Sequence, residues 1–316
     1  MEEPQAQQPQ ATPPVTNFWL KEGMLRSVWS VSGYFLAVLF LTVILIIINS
    51  PIGIIDDWRI ANPLFMLLAA LGISWMMAVA VDRVPFMEVT GLRWRRSSAW
   101  QLAGGIAVAG LMQAALLLLE LLFGDARIFL GQLTFSYVAV LLTYSLFTFS
   151  LVGFAEEILM RGYPFTILHQ RSGSMRALVI TAVIFSLIHG ANPGIGWLGF
   201  ANIFLAGIWL GAARLVTGAL WLPIGLHIGW NFFLGSVFGF PVSGVFERSV
   251  FITEYSGPDW LTGGSFGPEG GLLATAVLIA GTAILYLPGI SSWLSPAANS
   301  QPRTEKGATT EHKEES

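Results

Sequence analysis

Four residues in the second half of the chain carry side chains that could do chemistry in a setting where such groups are rare. Glu156, His189, His227 and Asn231 all fall in strongly apolar stretches. A carboxylate and histidines can exchange protons, and an amide can hydrogen-bond to whatever they act on. At the centre of a membrane-spanning helix an ionisable group costs roughly 2.5–3.5 kcal/mol on insertion scales, so each is a functional candidate by default. Taken singly, a histidine on an apolar helix is more often a satisfied structural group. Two histidines, a carboxylate and an amide at membrane depth are harder to explain that way.

Their spacing adds to the case. In Glu156-Glu157-Ile158-Leu159-Met160-Arg161 the neighbouring glutamates point about 100° apart on a helix. Glu157 and Arg161 stand at i,i+4 with the acid first, the favourable order for an ion pair. They are expected to neutralise each other, which leaves Glu156 on another face, free for chemistry. The competing account is a charge cluster that merely ends the span. Gln170-Arg171-Ser172-Gly173-Ser174 is a polar turn. Glu156 lies 16 residues before Ser172, and His189 lies 16 after Gly173. Two straight helical arms would therefore place them at equal depth, unless a separate helix intervened around 162–175. His227 and Asn231, at i,i+4, point the same way. From the break at Thr217-Gly218, His227 sits roughly 14 Å into its helix, at about 1.5 Å per residue.

The elements that must position these groups are membrane helices. Of 316 residues, 54% are hydrophobic and only 11% charged, against about 25% charged in soluble domains. Twelve Trp and 22 Phe fit spans with aromatic residues at the headgroups. The expected fold is all-α, a polytopic bundle of about eight transmembrane helices over 28–49, 63–81, 100–123, 136–168, 176–190, 196–214, 219–239 and 270–290. The bundle is expected over 28–290, between polar, disordered tails at 1–27 and 291–316, with no cleavable signal peptide. The Gly/Pro-rich segment 240–269 reads as a long loop. With no Cys, disulfides, thiolate metal sites and a cysteine nucleophile are excluded.

Lys and Arg set the orientation. Arg59, Arg127 and Arg248 fall on one side, and the other 13 of the 16 basic residues fall on the opposite side with both tails. Both termini are therefore expected in the cytoplasm, with 240–269 facing outward, in a multi-pass protein of the cell membrane. Glu120, near the outer end of the third span, is expected to snorkel or to be protonated. His169 belongs at the interface, His312 in the tail, and Asn202 is a helix-bridging or capping residue without an assigned role.

In this order the residues resemble the three motifs EExxxR (Glu156, Glu157, Arg161), FxxxH (Phe185 to His189) and HxxxN (His227 to Asn231). These are the motifs of the CPBP family of intramembrane proteases, also called the CAAX amino-terminal protease or abortive-infection family, which includes the type II CAAX prenyl endopeptidases. The resemblance covers about 135–240. It implies an eight-helix protease with its site in a cavity of the bundle. Glu156 and His189 would activate water, His227 and Asn231 would stabilise the oxyanion, and Glu157 with Arg161 would support the site.

Metal use stays open at this point. Glu156, His189 and His227 form a His₂Glu set suited to one zinc ion with an open position, though HExxH spacing is absent. A metal-free glutamate mechanism fits the same residues and is slightly favoured. The expected partners are a peptide or protein substrate at the membrane, which a CAAX-like tail would satisfy, and the lipid bilayer; no nucleic acid is expected. Two other readings are a non-catalytic or immunity-type membrane partner of the same fold, and a proton-coupled transporter using Glu156, His189 and His227 as a relay.

Overall fold

The computed structural model describes residues 23–294. Residues 1–22 and 295–316, which hold most of the two expected tails, lie outside the described residues. The first described helix begins at Gly23 and the last ends at Leu294.

The bundle opens with α1 (Gly23–Ile52) and α2 (Trp58–Met76), the latter prolonged by a π-helical turn to Asp82. The short α3 (Phe86–Val89) leads to α4 (Ser98–Phe123). Next come β1 (Ala126–Leu130), α5 (Phe135–Arg161), α6 (Tyr163–Ser172), α7 (Ser174–Ile188) and α8 (Trp197–Thr217). Last are α9 (Trp221–Asn231), prolonged by π-helix to Val237, β2 (Phe251–Tyr255), α10 (Asp259–Thr262), α11 (Leu272–Leu285) and α12 (Pro288–Leu294). Trp29, Leu36, Leu39, Phe40 and Ile47 of α1 are exposed on its outer face, as expected of a lipid-facing helix.

Among the described residues six helices are long and apolar enough to cross a membrane: Val28–Ile52, Trp58–Asp82, Ser98–Phe123, Phe135–Ser172, Ser174–Ala191 and Trp197–Thr217. The seventh and eighth expected spans correspond to α9 with its π-helical end and to α11, which are shorter. Their shortness has a structural reason. The segment 240–269 is not a solvated loop but folds back into the bundle, with Phe240, Phe266 and Glu269 buried. Its strand β2 pairs antiparallel with β1, Arg127 opposite Glu254. The chain thus covers the ends of α9 and α11 with protein.

The fourth span is bent rather than straight. A Cβ on Gly162 would lie 2.4 Å from the Ile158 carbonyl oxygen, and Pro164 in the first turn of α6 has no N–H to give. A separate helix therefore intervenes between α5 and the turn, and the straight-arm premise behind the equal-depth expectation does not hold. Glu120 is also placed differently. Its side chain is fully buried and neither carboxylate oxygen has a partner among the described residues, so it does not snorkel.

Helices α4 and α9 touch backbone to backbone. A Cβ on Gly225 would stand 2.2 Å from the Leu102 carbonyl oxygen, and one on Gly229 would stand 2.6 Å from that of Ile106. Gly225 and Gly229 form a small-xxx-small face, which lets membrane helices approach closely. The sequence reading did not single out this pair. Gly225→Val will force the two helices apart, with an overpacking cost of about 1–3 kcal/mol. It will lower the melting temperature in detergent, whereas an unchanged melting curve would contradict this packing.

Candidate active site

The close approach of α9 to α4 fixes one wall of a cavity of about 280 Å³. Glu156 from α5, His189 at the end of α7, and His227 and Asn231 from α9 all line it. Phe185, Ile203, Trp209 and Trp230 supply apolar wall. The four sequence-singled residues therefore share one enclosure despite the bend in the fourth span.

Behind the wall, Glu157 and Arg161 are both fully buried, with Arg161 Nη1 donating to Glu157 Oε1 at 3.0 Å. The same oxygen accepts from His227 Nδ1 at 2.9 Å. Glu157 thus does more than neutralise an arginine: it holds one nitrogen of His227 and turns Nε2 toward the cavity. Arg161 Nη2 donates to the Gly207 carbonyl at 3.1 Å, and its guanidinium lies 4.5 Å over the Phe185 ring. Such cation–π contacts are favourable, more so when desolvated. Arg161 therefore ties α5 to both α7 and α8.

Phe185 links this support to the other histidine. Its carbonyl oxygen stands 2.8 Å from His189 Nδ1. A carbonyl only accepts, so Nδ1 carries the hydrogen and Nε2 faces the cavity. Glu156 Oε2 stands 3.9 Å from His189 Nε2 and 3.7 Å from His227 Nε2. That oxygen is buried and has no hydrogen-bond partner among the described residues. The Asn231 side chain, one turn beyond His227, likewise makes no hydrogen bond there and borders the cavity.

Several lining residues were not found from the sequence. Glu269, in the segment read as a solvated loop, accepts from Trp230 Nε1 at 2.8 Å and from the Ser243 N–H at 2.5 Å. Its carbonyl accepts from Asn202 Nδ2 at 2.8 Å, so Asn202 bridges α8 to this segment. At the rim, Arg59 Nη1 pairs with Glu247 Oε2 at 3.2 Å. Burial pushes the Glu247 carboxyl up against the pull of Arg59, while the hydrogen bond from the Tyr144 hydroxyl holds the Asp57 carboxyl below its usual range. No local signal marks these contacts, because each joins segments distant in sequence.

Glu156, His189 and His227 are donors that zinc accepts in catalytic sites. Among the described residues no group of three or more such side chains is arranged closely enough to hold a metal ion. Ligands about 2.0–2.1 Å from a tetrahedral zinc stand roughly 3.4 Å apart. The separations of 3.7 and 3.9 Å would have to close by a few tenths of an ångström.

The fold and this cavity define an integral membrane helix bundle with a glutamate–histidine centre inside it. Residues 137–233 match the family model of the Type II CAAX prenyl endopeptidase Rce1-like proteins, so that segment is similar to CAAX-type intramembrane proteases. The matched segment contains every motif residue from Glu156 to Asn231. No curated protein matches the chain.

Proposed function

We propose that the protein is an intramembrane endopeptidase that hydrolyses a peptide bond of a membrane-associated substrate, in the cell membrane with both termini cytoplasmic. One observation carries the reading: the unpartnered, buried Oε2 of Glu156 faces the Nε2 atoms of both histidines across the cavity. A carboxylate without a partner, in a site shielded from bulk water, is placed to take a proton from a water molecule. His189, with Nδ1 committed to Phe185, offers Nε2 to share that proton. The hydroxide attacks the scissile carbonyl carbon, and the proton passes to the leaving amine. His227 and Asn231 donate to the oxyanion. For His227 this requires protonation at both nitrogens, with Glu157 holding Nδ1–H.

If zinc binds, Glu156, His189 and His227 would hold it and it would act as a Lewis acid on the carbonyl. We favour the metal-free route because the three groups, at their present separations, already supply base and donor. Purified protein dialysed against a strong chelator will keep its proteolytic activity, and will carry less than one equivalent of zinc. Loss of activity on chelation, restored by zinc, would overturn this route.

The transporter reading is disfavoured because a proton relay has no use for the His227–Asn231 pair, whose side chains face the same enclosure.

A further inference from the structure

Of the connections between helices, only those at one face of the bundle line the cavity. Trp58 and Arg59 at the start of α2, Asn192 after α7, and Val242, Ser243, Val245 and Glu247 after α9 line its outer part. Two contacts hold these connections on the same face: the Arg59–Glu247 pair, and Asn192 Nδ2 donating to the Ser243 carbonyl at 3.1 Å. The β1–β2 pairing lies on that face as well. The connections 83–97, 171–176 and 218–220 form the opposite face, tied by Arg171 to Asp82 and by the Leu220 N–H to the Gly91 carbonyl. None of their residues lines the cavity. Toward that face, Met160, Tyr163, Leu220 and Ile224 are all essentially inaccessible.

Charge separates the same two faces. The closed face carries Arg83, Arg93, Arg95, Arg96, Arg171 and Arg176, with Asp82 and Glu88 as its acids. The open face carries only Arg59, Arg127 and Arg248, against Asp56, Asp57, Asp125, Glu247, Glu254, Asp259 and Glu269. Short loops rich in Lys and Arg remain in the cytoplasm.

We propose that the cavity is entered from the non-cytoplasmic side, and that its substrate is a juxtamembrane peptide segment of an exported, membrane-anchored protein. The substrate half of this statement rests on the protease reading; the sidedness does not. A lipidated tail presented from the cytoplasm would meet the closed face.

The chain has no cysteine, so single cysteines report sidedness without background. Phe246, on the rim between lining residues Val245 and Glu247, is 67% exposed, and Met175 on the opposite face is 70% exposed. Full-length Phe246→Cys and Met175→Cys proteins would be treated, in intact cells, with a membrane-impermeant maleimide. Phe246→Cys will label to the extent reached after permeabilisation, whereas Met175→Cys will label only once the membrane is opened. The reverse pattern, or labelling of both positions in intact cells, overturns the proposal, as does failure of Phe246→Cys to label before permeabilisation. Catalytic activity plays no part in this readout, so its outcome is separate from that of the protease reading.

Discussion

Glu157→Ala will deplete the folded protein. Its carboxylate is fully buried and serves two donors through one oxygen, Arg161 Nη1 at 3.0 Å and His227 Nδ1 at 2.9 Å. Removing it strands a guanidinium that has no exposure at all. Breaking one side of a buried ion pair typically costs about 3–5 kcal/mol, a large part of the about 5–15 kcal/mol that holds most folded domains together. The Gly207 carbonyl and the Phe185 ring still face Arg161, but neither carries a compensating charge. The expected result is a steep fall in monodisperse yield and in melting temperature in detergent. Glu157→Gln keeps the shape and one acceptor oxygen and will fall between the two. A Glu157→Ala protein with wild-type yield and melting temperature would contradict the support role.

That pair also shows which parts of the site were legible in the sequence. Glu157 and Arg161 are i,i+4 neighbours, and a helix fixes their proximity without knowledge of anything else. The bond from His227 to the same glutamate spans 70 positions and follows only from how α5 packs on α9. Hydropathy marked the six long spans because each is continuous and apolar. It also marked α9 and α11, which are shorter and whose ends a returning segment covers. Glu269 shows the same blind spot. An acid among glycines and prolines reads as solvated, yet its partners Trp230 and Ser243 lie 39 and 26 positions away and bury it. The bend at Gly162 removed the premise behind the equal-depth expectation, although Glu156 Oε2 and His189 Nε2 still stand 3.9 Å apart.

The second large effect falls on chemistry rather than folding. Glu156 is separate from the Glu157–Arg161–His227 bonds, and its Oε2 has no partner to lose among the described residues. Glu156→Gln preserves size and removes the proton acceptor. It should leave the melting temperature at the wild-type value while removing the step that generates hydroxide. General-base catalysis is worth about 10²–10⁴-fold in rate, so a loss in that range is expected. The contrast with Glu157 is informative because the two residues are adjacent: one substitution should cost stability and the other activity.

The most direct measurement of the central claim is cleavage by purified wild-type and Glu156→Gln proteins of matched melting temperature, with a membrane-anchored protein that appears shortened only in cells carrying the wild type as substrate. The account predicts cleavage by the wild type and a loss of at least about 100-fold in the Glu156→Gln protein. Full cleavage by Glu156→Gln would contradict it.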